Sequence, residues 1–152
     1  MTDAATLPSL TLKRQIKASP ARIFKAWTDP SKLVHWWGPH ETVEGSVAAE
    51  MDLRIGGAFR MSFQTADGQT HEATGEFQEI VPDEKLVYTW IWTREPDQKT
   101  LMTITLRGEE GGTMLTLTHA LLADEPTRAS HEKGWTGVID RLERFVIRGA
   151  KK

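Results

Sequence analysis

The side chains of this chain change their spacing once, near Asp124, and that change limits the folds available to it. Before this point apolar and polar residues alternate, as they do in half-buried strands. After it, large side chains recur at helical spacing, in the set His131, Trp135, Val138, Ile139, Leu142, Phe145 and Val146. The concave face of a strongly bent sheet is the only apolar surface large enough to bury such a stripe. The pattern therefore predicts an α+β domain whose sheet curves around a long C-terminal helix.

The alternating part of the chain predicts six or seven strands joined by short turns. Leu10, Leu12 and Ile16 fit a first strand. Residues 66–69 (A-D-G-Q) are typical of a hairpin turn. The remaining strands are predicted around residues 43–53, 59–64, 70–81, 86–93, 102–106 and 115–121. Because successive strands follow one another through short turns, an antiparallel meander is expected.

Two short helices are predicted directly after the first strand. Ser19 is a good N-cap, and Pro20 suits the first helical position, where its missing N–H costs nothing. The Asp-Pro pair at 29–30 ends this helix and begins a second one, which the Gly-Pro pair at 38–39 ends because proline cannot continue a helix. Three tryptophans on these helices are interpreted as core residues: Trp27, Trp36 and Trp37.

Composition indicates one soluble globular domain over residues 1–152. The formal net charge of -2 argues against a nucleic-acid partner, which would need a basic stripe. The absence of cysteine excludes disulfides and thiolate chemistry. The opening residues lack the features of a signal peptide, and no apolar stretch reaches the ~20 residues of a membrane helix. A cytoplasmic location is predicted.

Five segments occur in the order seen in one family. They are residues 18–39, I-G-G-A-F-R at 55–60, G-E-F-Q-E-I-V-P at 75–82, K-L-V-Y-T-W at 85–90 and H-E-K-G-W-T-G-V-I-D-R-L at 131–142. Over roughly residues 9–148 the chain resembles the START-like helix-grip (SRPBCC) superfamily, in the branch named after activators of the ninety-kilodalton heat-shock protein ATPase. The resemblance implies a helix-grip fold with an internal hydrophobic cavity between the sheet and the C-terminal helix.

That cavity is expected to hold an apolar or amphipathic small molecule. The sequence supplies suitable walls, so the predicted ligand-binding residues are Phe59, Met61, Phe63, Tyr88, Trp90, Trp92, His119 and Trp135. His119 is the best polar candidate, because it is in phase with Leu115 and Leu117 on an inward face. Two roles stay open for it, a ligand contact and a core histidine satisfied by a hydrogen bond.

Two glycines and two arginines of the C-terminal helix lead to further predictions. Gly134 and Gly137 each cost about 1 kcal/mol relative to alanine inside a helix. Two explanations stay open: a close neighbour or a ligand lies beside them, or the helix simply tolerates them or kinks there. By helical phase, Arg141 and Arg144 point away from the sheet and are expected to tolerate alanine.

Three functions remain open at this level. The first is a small-molecule binding protein. The second is an enzyme of the cyclase or hydrolase type, as in some START-like relatives, acting through pocket groups such as His119 and Tyr88. The third, implied by the branch name, is a co-chaperone that stimulates a chaperone ATPase and has the chaperone as its partner.

The sequence lacks the motifs of metal binding, serine hydrolysis and phosphate binding. The histidines lack metal-ligand spacing, and neither a G-x-S-x-G motif nor a phosphate-binding loop occurs, so no metal and no cofactor are predicted. The carboxylate pairs Glu50–Asp52 and Glu72–Glu76 are interpreted as solvated strand faces, with Asp52 and Arg54 tying the following turn.

Overall fold

A computed structural model describes residues 7–150, with side chains through Ile147. One antiparallel sheet of seven strands, in the order β1-β7-β6-β5-β4-β3-β2, curves around the C-terminal helix. The elements are β1 (Leu10–Ile16), α1 (Pro20–Thr28), α2 (Pro30–Leu33), β2 (Ala48–Met51), β3 (Ala58–Gln64), β4 (Thr70–Val81), β5 (Lys85–Trp92), β6 (Thr100–Glu109), β7 (Gly112–Ala120) and α3 (Glu125–Ala150). The predicted α+β helix-grip fold is confirmed.

The helices α1, α2 and α3 each begin at a capping side chain, and the Ser19 cap is expected from the sequence. Ser19 Oγ accepts the backbone N–H of Arg22 at 3.1 Å at the start of α1. Asp29 lies between the two short helices, and its Oδ1 accepts the N–H of Ser31 at 3.0 Å. Asp124 likewise caps α3, as its Oδ1 accepts the N–H of Thr127 at 2.9 Å. Side chains that satisfy otherwise unpaired helix donors therefore set where each helix begins.

Two elements are shorter than the sequence suggested. The strand expected over residues 43–53 is reduced to the four residues of β2. Gly45 adopts a left-handed φ of 82°, and the N–H of Ser46 bonds to the carbonyl of Val43 at 3.1 Å, so a turn replaces the first part of that strand. The second short helix ends at Leu33, Trp36 lies in the turn that follows, and Trp37 comes directly after that turn.

The stripe of α3 packs into the concave side of the sheet. Leu142 is fully buried, and Val138, Ile139 and Val146 are each no more than 3% exposed. An ion-pair cluster then fixes the helix to β1, because the Arg14 guanidinium contacts carboxylates of α3 at 2.8 Å each, on Asp140 and on Glu143. Burial of the stripe stabilises the packing of α3 on the sheet, and the partly exposed ion pairs add a smaller contribution between helix and strand.

Arg141 departs from the sequence expectation. It points away from the sheet as predicted, but it is half-buried against the turn that follows α2. Its Nε donates to the carbonyl of Trp36 at 2.8 Å, and its Nη2 donates to the carbonyl of Trp37 at 3.4 Å. These contacts argue against the expectation that Arg141 tolerates alanine, because the side chain ties α3 to the tryptophan segment.

We expect Arg141→Ala to lower the free energy of unfolding by about 1–3 kcal/mol, since it leaves two part-buried carbonyls without a charged donor. Chemical denaturation of this variant beside Arg144→Ala provides the comparison. Arg144 is exposed, and its only side-chain bond to the described residues is a 3.4 Å contact to the carbonyl of Asp140 in its own helix. Equal stabilities for the two variants would contradict a tethering role for Arg141.

Three sequence predictions concern a membrane helix, a metal site and the two ends of the chain. No helix within residues 7–150 is both long and apolar enough to cross a membrane. Among the side chains that the structure describes, no three histidine, aspartate or glutamate residues are grouped so that they could hold a metal ion. Residues 1–6, which make up most of the opening segment considered for a signal peptide, lie outside the described residues. The basic residues Lys151 and Lys152 at the other end also lie outside them.

Candidate functional site

One pocket of about 590 Å³ lies between α3 and the strands β3 to β5. Residues of α3 at helical spacing form one wall: His131, Gly134, Trp135 and Val138. Alternate residues of β5 and the chain just beyond it form the opposite wall: Trp90, Trp92 and Arg94. Phe63, His71 and Trp37 close the sides. We call this site, lined by Trp37, Phe63, Trp90, Trp92 and Trp135, the aromatic pocket.

Indole rings in edge-on contact build the inner end of the aromatic pocket. The ring of Trp135 lies 5.2 Å from that of Trp37 and 5.6 Å from that of Trp90, and Trp90 meets Trp92 at 5.2 Å with the ring planes 87° apart. Such tilted contacts are the favoured packing of aromatic rings and hold each one in a fixed orientation. Trp90 and Trp135 are buried, whereas Trp92 is half-buried, so the pocket opens toward Trp92.

The eight residues predicted to bind a ligand separate into two groups. Phe63, Trp90, Trp92 and Trp135 line the aromatic pocket. Phe59, Met61 and Tyr88 lie deeper and, with Trp90, surround a void of about 20 Å³, which is close to the room that one water needs. His119 lines neither space.

Two of the tryptophans expected in the core, one on α1 and one just after α2, fill part of the space beside the predicted ligand-binding residues. Trp27 and Trp37 both border the small void, and Trp37 also reaches the aromatic pocket. The Trp27 indole N–H donates to the hydroxyl of Tyr88 at 3.3 Å. Burial raises the pKa of Tyr88, so this hydroxyl stays protonated and serves as an interior partner.

His119 is fully buried, and both of its ring nitrogens are occupied. The Trp135 indole N–H donates to Nδ1 at 3.0 Å, which leaves the proton on Nε2. Nε2 then donates to the Thr100 hydroxyl at 2.7 Å, and that hydroxyl donates to the carbonyl of Trp90 at 2.7 Å. Burial, aided by nearby His131, lowers the pKa of His119 to about 3, so the ring is neutral.

Of the two roles that the sequence left open for His119, this hydrogen-bond network favours the core role. Each donor in it has an acceptor, and the network connects β6, β7 and α3 behind the pocket wall. His119 orients Trp135, which lines the pocket, and acts on the site through that ring.

His131 forms a similar link at the pocket wall. Its Nε2 accepts the indole N–H of Trp92 at 2.9 Å, which leaves the proton on Nδ1 for the carbonyl of Thr127 at 2.8 Å. The ring lies 4.9 Å from that of His119. Trp92 and Trp135 are thus both held by histidines, one on α3 and one on β7.

The outer end of the pocket contains a polar chain of four residues, which we call the His71 chain. Arg94 Nη1 donates to His71 Nδ1 at 2.9 Å, so His71 keeps its proton on Nε2, which bonds to the Thr65 hydroxyl at 3.1 Å. Thr65 donates in turn to Asp67 Oδ1 at 2.6 Å. Burial and the charge of Arg94 lower the pKa of His71, with Asp67 opposing them. His71 is therefore a neutral acceptor toward Arg94.

Two buried donors at the inner end have no hydrogen-bond partner among the described residues. They are the indole N–H groups of Trp37 and Trp90, and both residues are 2% exposed. Each of these residues borders the aromatic pocket on one side and the small void on the other. An unpaired buried donor costs about 1–3 kcal/mol, so these two indole N–H groups lower the stability of the interior behind the pocket.

The two glycines of α3 differ in their surroundings. A Cβ at Gly137 would lie 2.8 Å from both the ring and the backbone nitrogen of His40, so the close neighbour expected there is present. A Cβ at Gly134 would meet nothing within 4 Å, and Gly134 borders the pocket. The missing side chain at Gly137 therefore lets the chain at His40 pack against α3, whereas the missing side chain at Gly134 leaves space in the pocket wall.

Sequence reasoning missed the polar residues of the pocket opening. Arg94 continues the Trp90–Trp92 alternation past the end of β5, and that phase alone places it on the same face. His71 lies directly opposite Phe63 in the β3–β4 register. His131 belongs to the α3 stripe, and its spacing from Trp135 was the available signal.

The comparisons with known proteins agree with this architecture. The family model described as Activator of Hsp90 ATPase homolog 1-like protein matches residues 17–146. A crystal structure of a Chromobacterium violaceum protein is 28% identical, with a TM-score of 0.78 over 91% of this chain and 96% of that one. One from Nitrosomonas europaea is 25% identical, with a TM-score of 0.80 over 99% and 100%. Comparison with the curated proteins finds no match.

A third solved structure is similar in fold. It is a Silicibacter pomeroyi protein described as AHSA1, 24% identical, with a TM-score of 0.77 over 93% of this chain and 99% of that one.

Proposed function

This chain belongs to the family of Activator of Hsp90 ATPase homolog 1-like proteins, and we propose that it binds a small apolar or amphipathic molecule in the aromatic pocket. The observation that carries the proposal is one open pocket of about 590 Å³ with five aromatic side chains along its wall. Ligand sites commonly occupy about 300–1,000 Å³ and combine apolar walls with a few polar groups. The fold itself is of the ligand-binding type.

The polar groups of the pocket support binding more than catalysis. His119 and Tyr88, the groups expected to act in an enzyme of the cyclase or hydrolase type, are both buried and hydrogen-bonded, and neither lines the pocket. His71 and His131 have both nitrogens committed to protein partners. A general acid or base exchanges a proton with its substrate, and here each of these ring nitrogens is hydrogen-bonded to a protein atom instead.

Gly134 offers a direct test of the site. We expect Gly134→Leu to weaken ligand binding about tenfold or more, because the new side chain extends from an unobstructed Cβ position into the pocket. Four of the six tryptophans line the pocket, so quenching of tryptophan emission reports occupancy. Titration with lipids, polyphenols and polyketide-like aromatics, paired with thermal unfolding, gives affinity and the ligand-induced rise in Tm.

Gly134→Ala is the matched control. It adds a single methyl group to the same position and should raise stability by about 1 kcal/mol through helix propensity while binding stays near that of the parent. Saturable binding that is unchanged in Gly134→Leu would place the ligand elsewhere. Chemical turnover of a bound compound would favour the enzyme, and binding of the chaperone with no small-molecule binding would favour the co-chaperone.

A further inference from the structure

Two cationic side chains at the outer end of the aromatic pocket form no ion pair with the described residues. Arg94 follows β5 and Lys133 lies on α3, and both are exposed and line the pocket. The ion pairs among residues 7–147 involve other cations throughout. Their positive charge is therefore available to a ligand.

Arg94 is held in place by neutral groups. One guanidinium nitrogen donates to His71 Nδ1 at 2.9 Å, and the guanidinium carbon lies 5.0 Å from the centre of a Trp92 ring. Neither contact neutralises the charge, and His71 occupies one of the five N–H donors that a guanidinium presents. The remaining donors keep the planar fork that matches a carboxylate.

His71 acts as an acceptor toward Arg94 because the rest of its chain fixes its tautomer. The ring stacks on Phe63 at 5.0 Å, and its other nitrogen bonds to the Thr65 hydroxyl. The pKa of His71 is lowered by burial and by Arg94, against the opposing effect of Asp67. The lowered pKa keeps this ring uncharged beside the Arg94 guanidinium.

Two carboxylates also line the pocket. Asp67 is engaged within the β3–β4 turn, where its Oδ1 accepts from the Thr65 hydroxyl and from the N–H of Gln69 at 3.1 Å. Glu41 is exposed and, like Lys133, borders both this pocket and the adjoining groove. Arg94 is thus the charged group that contacts both Trp92 and His71 in the pocket wall.

We propose that Arg94 binds the anionic group of an aromatic carboxylate whose ring system occupies the aromatic pocket, with Lys133 adding positive charge at the same opening. The indole walls favour a flat aromatic body, because rings in contact with rings gain more than their buried area. This inference rests on the proposed function and narrows it to aromatic acids.

Matched naphthalene probes test the charge requirement. By tryptophan quenching, 2-naphthoate should bind about tenfold more tightly than 2-naphthamide, and 2-naphthylmethylamine should bind most weakly. The preference for the acid should shrink as salt is added, since the opening is exposed. Octanoate, which has the carboxylate without the ring, should bind more weakly than 2-naphthoate.

Variants at Arg94 assign the preference to one side chain. Arg94→Gln should remove most of the difference between acid and amide, whereas Arg94→Lys, which keeps the charge and loses the fork, should retain part of it. Arg107→Gln is the control, because Arg107 is exposed on β6, pairs with Glu109 at 2.9 Å and lies outside the pocket lining. It should leave the preference unchanged.

The outcomes separate this inference from the proposed function. Equal binding of acid and amide, tighter binding of the amine, or a preference that survives in Arg94→Gln would each overturn the role of Arg94. Octanoate binding as tightly as 2-naphthoate would overturn the aromatic part. Failure of every naphthalene probe to saturate would also overturn the inference. The proposed function would then still be tested by the panel of lipids, polyphenols and polyketide-like aromatics and by Gly134→Leu.

Discussion

Leu142→Ala should lower the free energy of unfolding by about 2–5 kcal/mol. Leu142 is fully buried in the stripe that α3 packs into the concave side of the sheet, so truncation removes apolar contacts and leaves a cavity. The expected loss is a large share of the stability of an ordinary domain. Chemical denaturation at pH 7 measures it directly.

Arg144→Ala provides the control two residues away. The side chain of Arg144 is exposed, so its truncation should change stability by no more than about 0.5 kcal/mol. If the two substitutions were equally damaging, α3 would have to pack with another face toward the sheet.

The periodic parts of the fold were predictable because their signals are local. The alternation of Leu86, Tyr88 and Trp90 fixed which face of β5 is buried, and the helical spacing around Leu142 fixed which face of α3 meets the sheet. Capping by Ser19 and Asp124 is likewise a short-range effect. In each case the atoms that decide the structure lie within a few residues of one another.

The filling of the interior was not predictable in this way. Trp37 reaches the aromatic pocket from just after a turn, more than fifty residues before Trp90, and nothing in the spacing of either residue reveals their 5.8 Å ring contact. Arg141 is a second example, because its phase on α3 was right but the carbonyls that it binds belong to a distant segment. Long-range partners of polar and aromatic groups depend on packing, which one-dimensional patterns do not encode.

His119 combines both cases. Its phase with Leu115 and Leu117 correctly indicated an inward position on β7. Its role depended on Thr100 and Trp135, which β6 and α3 bring to its two nitrogens. The same network has a consequence for stability in acid.

Acid should destabilise the folded chain through His119. In the unfolded chain this histidine takes up a proton near its ordinary pKa of 6.5, whereas burial in the folded chain lowers the pKa to about 3. Between these two pH values the unfolded state binds a proton that the folded state does not, so lowering the pH favours unfolding. The contribution of His119 is complete above pH 6.5 and should fall by about 1.4 kcal/mol per pH unit below it.

Comparison with His119→Gln isolates this contribution. The glutamine amide can accept from Trp135 and donate to Thr100, but it cannot take up a proton in this range. Other titrating groups are common to both proteins and cancel in the difference. One of them is the Asp140 carboxyl, whose pKa burial raises but Arg14 and His40 lower further, so that the net shift is downward. The stability advantage of the parent over His119→Gln at pH 7 should therefore shrink, and then reverse, as the pH falls toward 4.

The control for this measurement is His35→Gln, which removes an exposed histidine and leaves the network intact. It should keep the acid sensitivity of the parent chain. A stability difference between parent and His119→Gln that stays constant from pH 7 to pH 4 would mean that the folded chain admits a proton at His119 as readily as the unfolded chain does. The ring could then not be the neutral acceptor of the Trp135 N–H, and the orientation of Trp135 at the pocket wall would need another cause.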